Sequence, residues 1–353
     1  MVLKQMQPLR RSSLSQPLVE LPGVEMDPNR VAVLLNRNAR RVTDKLAKQI
    51  EHVVGRGNLY YSRSLDEAEA FAREIVQRGY GTVVCGGGDG TLVRTYNLVQ
   101  RYVEESNAWR LERYRRFGEV QNRLASPRFA FLTLGTGNGL RKVVGATDPL
   151  ADLRRLVEDG AGETYSVPVI EANGDRFLFA GLGYDSMLLN DYNWLRTRVH
   201  GRIARPLVQT VLGYFAALFA RTLPRVLLKG HNLNARVTAL GDSFHVDARR
   251  GDAACPVAAG ATLYEGPVSM LGVGTTPFFG YGLKIFPFAG IMPNMMHLRV
   301  TRVGPLTTLG HLPSVWRGTY RNSQEIFDFL VNEVRVELDQ PFPFQHSGDD
   351  QGL

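Results

Sequence analysis

The chain has 353 residues, of which 44% are hydrophobic and 22% are charged. This length allows about two domains at ~150 residues each, and the composition excludes a disordered, collagen-like or coiled-coil protein. Two cysteines, Cys85 and Cys255, cannot form a disulfide framework, so we expect a protein of the reducing cytosol. We see no run of ~18 uncharged apolar residues and no apolar N-terminal core, and therefore expect neither a membrane span nor a secretory signal.

The net charge of +8 is unevenly distributed along the chain. No acidic residue occurs between Tyr192 and Gly241. The same segment holds eight basic residues, a number equal to the net charge of the whole chain. A localised basic field predicts an anionic partner, which by charge alone is a nucleic acid, an anionic lipid or a phosphate. The basic residues are Arg196, Arg198, Arg202, Arg205, Arg221, Arg225, Lys229 and Arg236.

The first half of the sequence predicts a doubly wound α/β domain. We interpret residues 1–28 as a polar tail and residues 29–163 as the domain itself. Ser64–Glu67 form a capping box that opens a helix, and a second helix is predicted after residue 91, with a charged helical insertion over 104–128. Strands that alternate with helices favour a parallel sheet. The predicted strands cover residues 31–35, 59–61, 82–85 and 129–133.

The pattern changes after residue 163 and predicts a second, mostly antiparallel β domain over residues 164–353. A long helix is predicted from about residue 206 to 222, with a broad apolar stripe that we assign to a protein core in preference to a lipid-facing surface. The predicted strands cover residues 165–171, 176–180, 235–240, 268–273, 297–303 and 334–338.

A glycine-rich loop, Gly86–Thr91, follows the third predicted strand and precedes a helix. With so little side chain, its N–H groups can approach phosphate oxygens, and the helix N-terminus adds a favourable dipole. Asp89 is the one acid in this loop, placed where phosphate and Mg²⁺ would meet and able to orient or deprotonate a hydroxyl. The alternative is a tight turn that only requires glycine.

A second glycine loop, Gly135–Gly139, follows the next strand. Loops after neighbouring parallel strands lie together at the carboxyl edge of the sheet, where ligands bind. Neither loop carries the Lys-Ser/Thr of a P-loop, and no GxGxxG occurs in the first strand–helix turn. The pair therefore indicates a phosphate site that is neither a Walker NTPase nor a dinucleotide oxidoreductase.

Three more segments complete the pattern: Ala-Gly-Leu-Gly-Tyr-Asp at 180–185, Phe-Pro-Phe-Ala at 286–289 and Gln-His-Ser-Gly-Asp at 345–349. With the two glycine loops, they make the chain resemble the diacylglycerol kinase catalytic-domain family, which includes sphingosine and ceramide kinases. The first loop is shared with NAD kinases, so a NAD kinase remains an alternative, but the set together favours the lipid kinases. The resemblance implies ATP and Mg²⁺ as cofactors and transfer of the γ-phosphate to a lipid hydroxyl.

The resemblance also implies roles for individual residues. Asp89 matches the catalytic-loop aspartate and would contact the metal through Mg-ATP, and Asp185 matches an aspartate near the acceptor or is a strand-end turn residue. Asp349 would be a shortened equivalent of a family glutamate, with Asp350 as a substitute. Ser62 is either a nucleotide contact or a strand-end hydroxyl. The predicted ATP-binding residues are Asn36, Arg40, Ser62, Gly86, Gly87, Gly88, Gly90, Thr91, Gly135, Thr136, Gly137 and Asn138.

The sequence departs from the family pattern at four places. Asn36–Arg40 replaces Asn-Pro-x-Ser-Gly, and Arg37 and Arg40 either clamp phosphate or stay solvated. Arg94 stands where the family often has glutamate. Asn294–Met296 replaces an Asp-Asp-Gly segment, so we expect the second metal site of some bacterial members to be absent. Ser347–Asp349 replaces Asp-Gly-Glu, and these departures leave a catalytically weak binding module as an alternative.

The expected partners are ATP, a membrane lipid and an anionic membrane surface. Diacylglycerol is the first choice of acceptor, and ceramide or another sphingoid lipid is the second. We expect a cytoplasmic enzyme, peripheral at the inner membrane face, and leave a homodimer open. A nucleic-acid partner is suggested by charge alone, and with no recognition motif we expect none.

Overall fold

The structure is a computed structural model. It describes residues 24–350 apart from 40, 136–138, 161, 163, 201–207, 209, 230–232, 248–253 and 280–281, and of residues 229, 254, 349 and 350 it describes the backbone alone. The described chain forms two compact units that divide between Tyr165 and Ser166. Each unit has its own sheet and its own hydrophobic core.

The first unit alternates strands and helices along the chain. Its elements are β1 (Asp27–Asn36), α1 (Asp44–Val54), β2 (Leu59–Ser62), α2 (Leu65–Gln77), β3 (Tyr80–Gly87), α3 (Asp89–Phe117), β4 (Arg128–Thr133) and α4 (Pro149–Glu158). The four strands form one parallel sheet in the order β2-β1-β3-β4. This confirms the predicted parallel α/β architecture of the N-terminal half.

The sheet is covered by helices on both faces. Strand β3 is buried along its whole length. Val84 packs toward α1 and α4 together with Ile50 and Leu153, whereas its neighbour Val83 packs toward α2 with Ile75. Successive residues of a strand point to opposite faces, so a central strand covered on both sides consists of consecutive apolar residues. That is why a short apolar run predicted this strand.

Local capping signals fix where the helices begin and end. Ser64 accepts a hydrogen bond from the Glu67 N–H at 3.1 Å, as the predicted capping box requires. Helix α3 is longer than expected, because the predicted insertion over 104–128 is a continuation of the same helix to Phe117. The helix stops where Gly118 adopts a left-handed conformation with φ of 69°, and residues 118–127 are not helical.

The second unit is rich in β-structure. In chain order its elements are β5 (Ile170–Ala172), β6 (Asp175–Phe177), β7 (Phe179–Gly183), α5 (Tyr184–Arg198), α6 (Val211–Ala217), a π-helical turn (Leu218–Thr222), α7 (Leu223–Lys229), β8 (Asn234–Ala239), β9 (Ser243–Val246), β10 (Ala254–Val257), β11 (Thr262–Pro267), β12 (Met270–Gly274), β13 (Met296–Thr301), α8 (Pro305–Gly310), α9 (Leu312–Arg317), β14 (Ile326–Val331), β15 (Val334–Leu338), β16 (Phe344–His346) and β17 (Asp349–Asp350).

These strands form antiparallel sheets, as predicted for the C-terminal half. The largest has eight strands in the order β10-β9-β14-β13-β12-β7-β16-β17, and smaller sheets have the orders β11-β8-β15 and β5-β6. Six strands, β9, β10, β11, β14, β16 and β17, were not predicted, and neither were helices α5, α8 and α9. The strand predicted over 165–171 is wrong for residues 165–169, and the one predicted over 176–180 is divided between β6 and β7.

A buried ionic cluster explains why β14 escaped prediction. Asp328 interrupts the apolar run of this strand and is 1% exposed. It accepts hydrogen bonds from Arg299 at 2.7 and 3.1 Å and lies 2.8 Å from His297 Nε2, both on the neighbouring strand β13. These partners hold the pKa of the Asp328 carboxyl below its usual range, while burial lowers the pKa of His297. The cluster joins β13 to β14.

The long helix predicted for residues 206–222 has different limits in the structure. Thr210 caps α6, and helical structure continues through the π-helical turn to Lys229. Val211–Leu228 is long and apolar enough to cross a membrane by length and composition alone, although it includes Arg221 and Arg225. The sequence expectation concerned a run of uncharged residues, which these two arginines interrupt, so this segment does not contradict it. Only 22% of this segment is buried. Of the stripe assigned to the core, Leu212 and Phe219 are exposed, whereas Val211, Phe215 and Leu218 are partly buried.

Candidate active site

The predicted phosphate site lies at the carboxyl edge of the parallel sheet. Asn36 ends β1 and pairs in register with Ser62 at the end of β2. Gly87 ends β3 and pairs with Thr133 at the end of β4. The four strands therefore bring Asn36, Ser62 and the two glycine loops to one edge, which is the edge where α/β sheets bind ligands.

The two glycine loops are in direct contact, as their positions in the sequence predicted. The backbone N–H groups of Leu134 and Gly135 both donate to the Gly87 carbonyl, at 3.0 and 2.8 Å. A Cβ atom added to Gly135 would lie 2.3 Å from Gly88 Cα, which leaves no room for a side chain. Glycine at 135 is therefore required by this contact between the loops. Thr136, Gly137 and Asn138 of the second loop lie outside the described residues.

The start of helix α3 is open at the same edge. Gly88 precedes the helix and has no side chain to cap its first N–H groups. A Cβ atom on Gly87 would lie 2.3 Å from Thr91 Oγ1, so glycine also allows the strand to approach the first helical turn. Asn36 Nδ2 lies 3.5 Å from the same hydroxyl oxygen. A helix N-terminus of this kind, with Asp89 and Gly90 in its first turn, is suited to binding phosphate.

Asp89 connects the two loops through its carboxylate. Its Oδ2 atom accepts a hydrogen bond from the Gly139 N–H at 2.6 Å, and its Oδ1 atom lies 3.4 Å from the Leu140 N–H. Burial raises the pKa of this carboxyl from 3.8 to about 6, because the two amide donors offset only part of the desolvation. Asp89 is therefore an acid that changes its charge near neutral pH at the contact of the two loops.

Two predicted nucleotide contacts are less favoured by the structure. Ser62 is 5% exposed, and its hydroxyl donates to the Leu35 carbonyl at 3.1 Å. This geometry favours the alternative interpretation, a strand-end hydroxyl that serves the sheet. Arg40 lies outside the described residues. Gly86 is buried, and a Cβ atom there would lie 2.1 Å from Leu35 Cδ2, so its glycine is explained by packing.

The second unit contains a separate carboxyl site around Asp185. Asp185 is in the first turn of α5, directly after β7. Its Oδ2 atom accepts a hydrogen bond from Gln345 Nε2 at 3.1 Å, and its Oδ1 atom is buried without a hydrogen-bond partner among the described residues. Burial raises the pKa of this carboxyl to about 6, against the lowering effect of Gln345. A Cβ atom on Gly181 would lie 2.2 Å from Asp185 Oδ2.

Gln345 is the residue that sequence reasoning missed here. It is 1% exposed, and its Oε1 atom accepts from the Gly348 N–H at 3.2 Å while its Nε2 atom holds Asp185. The C-terminal strand therefore reaches Asp185 through one buried amide. The available signal was the place of Gln345 in the terminal motif, four residues before Asp349.

The remaining predicted positions have varied surroundings. The backbone of Asp349 pairs with that of His346 at the edge of the large sheet, and its side chain is outside the described part. Met295 packs in an apolar cluster with Phe288 and Leu330, and Arg94 is exposed on α3. Within the described residues, no three His, Cys, Asp or Glu side chains cluster as a metal site would require. Mg²⁺ usually takes only one or two carboxylates beside phosphate and water ligands, which is compatible with Asp89.

Comparisons with known proteins assign the first unit to a family. Residues 30–167 match the family model of the diacylglycerol kinase catalytic domain. This region belongs to the diacylglycerol kinase catalytic-domain family. The matched region holds both glycine loops, Asp89, strands β2 to β4 and β1 from Arg30 onward. No curated protein matches the chain significantly.

Solved structures resemble the chain over nearly its whole length. A diacylglycerol kinase from Bacillus anthracis str. Sterne is 13% identical, with a TM-score of 0.56 over 91% of this chain and 90% of that one. A candidate diacylglycerol kinase from the same strain is 16% identical, with a TM-score of 0.58 and the same coverage. At these identities the likeness shows the fold, which is therefore that of the diacylglycerol kinases in both units.

Proposed function

We propose that the protein is an ATP-dependent lipid kinase that transfers the γ-phosphoryl group to a free hydroxyl of a neutral lipid. The observation that supports this most directly is the Asp89 carboxylate, held by backbone amides between two glycine loops in a diacylglycerol kinase catalytic domain. Diacylglycerol is the first choice of acceptor, and ceramide or another sphingoid lipid is the second. Because ATP and membrane lipid meet at the cytoplasmic face of the inner membrane, we expect the enzyme to act there.

The reaction requires one bond to form and one to break. The lipid hydroxyl oxygen forms a bond to the γ-phosphorus, the bond from that phosphorus to the β–γ bridging oxygen breaks, and ADP leaves. The hydroxyl proton passes to a carboxylate, for which we propose Asp89, because its pKa of about 6 lies close to neutral pH. When bound, Mg²⁺ would neutralise charge on the phosphates.

The glycine loops contribute backbone rather than side chains. Two strand ends and the start of α3 approach one another closely at Gly87, Gly88 and Gly135, which have no side chains. The backbone amide groups of these segments therefore lie close together. Positioning and electrostatic stabilisation carry most of the catalysis in phosphoryl transfer, which a rigid set of amides supplies. Asp185, with one carboxylate oxygen lacking a partner among the described residues, is our proposed contact for the lipid substrate in the second unit.

The experiment is a transfer assay with γ-labelled ATP. The purified full chain is incubated with diacylglycerol, ceramide, sphingosine and NAD in separate reactions, each with and without Mg²⁺, and the labelled product is identified. We expect label in a phospholipid product from diacylglycerol or ceramide. Label in NADP would identify a NAD kinase instead, and binding of ATP and lipid with no transfer to any acceptor would identify a binding module.

A matched variant shows that the activity belongs to this site. Asp89→Asn keeps an oxygen for the Gly139 amide while it removes the charge. Loss of transfer in this variant, with unchanged ATP binding, supports the proposal. Equal transfer by the variant and the original protein would mean that another residue or a contaminating kinase is responsible.

A further inference from the structure

The segment Val211–Lys229, formed by α6, the π-helical turn and α7, directs an apolar face toward the exterior. Within Val211–Leu228, where the structure describes the side chains, the exposed positions recur at helical spacing, and every one of them is apolar. Leu228 is 85% exposed, and Leu212 and Phe219 are 59% and 55% exposed. We call these residues the outer face: Leu212, Ala216, Phe219, Ala220, Pro224, Leu227 and Leu228.

The opposite side of the same segment carries its polar groups. Asp191 on α5 is 2% exposed and accepts a hydrogen bond from Thr222 Oγ1 at 2.8 Å. It also pairs with Arg221 Nε at 3.1 Å and with an Arg225 amino group at 2.8 Å. A surface helix of a water-soluble domain has the reverse arrangement, with polar residues outside and apolar residues inside. Polar residues inside and apolar residues outside are typical of helices in contact with lipid.

The π-helical turn keeps these two sides in register. The buried positions of the segment are Gly213, Ala217, Thr222 and Val226, so the step from Ala217 to Thr222 has one residue more than a normal helical step of four. The extra residue keeps Thr222 on the side of Asp191. A single π turn inside a helix is often associated with function. The exposure of the outer face is therefore fixed by the same contacts that anchor the segment to α5.

We propose that the outer face inserts into the surface of a lipid bilayer, with the helical segment lying in the plane of the membrane. The exposed Arg196 and Arg198 at the end of α5 would then meet anionic headgroups, because no acidic residue occurs between Tyr192 and Gly241 to oppose them. Trp194 lies among these charges, with the guanidinium carbons of Arg198 and Arg221 at 4.3 and 3.7 Å from its ring centroid. Tryptophan is enriched at the headgroup level of membranes.

A bilayer fits this face better than a protein partner. Protein interfaces are on average only somewhat more apolar than the rest of a surface and have a polar rim. The outer face instead has no polar residue over 17 consecutive helical positions, from Leu212 to Leu228. The inference extends the proposed lipid kinase function but does not depend on it, since membrane binding needs neither ATP nor transfer.

The test is co-sedimentation of the full chain with vesicles of phosphatidylcholine, with and without phosphatidylglycerol. We expect binding that is stronger for the anionic vesicles and is weakened by salt. Leu212→Glu, Phe219→Glu and Leu228→Glu should each reduce binding roughly tenfold or more, because each removes the burial of one large apolar side chain. Arg196→Glu with Arg198→Glu should remove the preference for anionic vesicles.

Leu306→Glu is the matched control. Leu306 lies on α8 in the same unit and is 58% exposed, against 59% for Leu212, so the two substitutions change the charge and the exposed surface equally. We expect the control to bind like the original protein, and Leu212→Gln to weaken binding without adding charge. Melting curves of all variants identify any that has lost its fold, and three independent positions on the outer face keep the test valid if one does.

Two results would overturn the inference. Equal vesicle binding by Leu306→Glu and the three outer-face variants would show that this face does not enter the bilayer. A lipid-free dimer that Leu228→Glu converts to a monomer, with vesicle binding unchanged, would show that a second copy of the chain covers it.

Discussion

At the scale of single residues, two carboxyl groups carry the unusual chemistry of this protein. Asp89 and Asp185 lie in different units, yet burial raises the pKa of each to about 6. Each is held by neutral donors, namely backbone amides for Asp89 and the Gln345 amide for Asp185, and no cation pairs with either among the hydrogen bonds and ion pairs of the described residues. Neutral donors offset only part of the cost of desolvating a carboxylate, so the pKa of each group stays raised, at about 6.

We expect Asp89→Asn to lower turnover by ~10²-fold or more while the fold is kept, since a positioned general base contributes roughly 10²–10⁴. The substitution should also increase stability at neutral pH. The folded-state pKa of about 6 lies above the usual 3.8, so the contribution of Asp89 to stability is full below 3.8 and is lost as the pH rises through about 6. Melting curves between pH 4 and pH 8 measure this difference, which should be largest at pH 8.

A folded Asp89→Asn protein with near-normal turnover would contradict the proposed role of the carboxylate. For the original enzyme, we expect activity to fall as the pH decreases through about 6, because the carboxylate must be ionised to accept a proton. An activity that stays constant down to pH 4.5 would exclude any group with a pKa of about 6 from the transfer step.

Gln345→Met tests whether the buried amide positions Asp185. Methionine has a similar length but no donor, so the pKa of Asp185 should rise further and the acid limb of the activity profile should move to higher pH. The KM for lipid should increase, whereas the KM for ATP should stay the same. Gln324→Met, at an exposed position of the same unit, is the control. Identical profiles for the two variants would assign Gln345 to packing alone.

At the scale of elements, the candidate active site depends on how closely strand ends approach one another. Two N–H groups of the loop after β4 donate to the Gly87 carbonyl at the end of β3, and Asp89 joins the start of α3 to Gly139. Backbone-to-backbone contacts of this kind cannot relax by rotation of a side chain. Glycine is therefore needed for space at these positions, independently of any contact with a nucleotide.

Gly135→Ala should separate the two loops, because its Cβ atom would lie 2.3 Å from Gly88 Cα. We expect a loss of about 1–3 kcal/mol of stability, as for overpacked cores, and weaker ATP binding by calorimetry. Gly162→Ala is the matched control in the same unit, where an added Cβ atom has no neighbour within 4 Å. If both variants bind ATP equally, the contact of the loops does not set the nucleotide site.

At the scale of the whole molecule, the chain combines a region that matches the diacylglycerol kinase catalytic-domain family with a second unit whose last described strands pair within its large sheet. Strand β16 pairs with β7, and β17 pairs with β16 at the edge of the eight-stranded sheet. The terminal strand thus brings Gln345 to Asp185, across 160 positions of the chain. Strands β16 and β17 are therefore part of the fold of the second unit.

Removal of the chain from Ser347 onward tests the function of the terminal acids. The truncated protein keeps strand β16 and Gln345, and it loses the edge strand together with Asp349 and Asp350. We expect ATP binding to survive, because the glycine loops belong to the other unit, and transfer to be abolished. A truncated enzyme with an unchanged rate would show that the terminal acids take no part in transfer. Asp349→Asn in the full chain separates the loss of the acid from the loss of the strand.

The sequence by itself determined the features that short segments encode. The four parallel strands, the capping box at Ser64 and the contact between the glycine loops were all predicted, because each depends on neighbouring residues and on the simple rule that parallel strands end at one edge. The antiparallel second unit was predicted only as a class. Its individual strands are short, and Asp328 in β14 broke the apolar pattern until the partners on β13 were known.

Only the tertiary structure decided which face of a helix packs against the protein and which face is exposed. An apolar stripe was visible in the sequence over residues 207–219, but periodicity does not tell whether protein covers an apolar face or leaves it exposed. The acid-free segment that began at Tyr192 excluded Asp191 by one residue, and that carboxylate neutralises part of the predicted basic field by pairing with Arg221 and Arg225. Such long-range pairs form between residues that only the folded chain brings together, and they orient the apolar face outward.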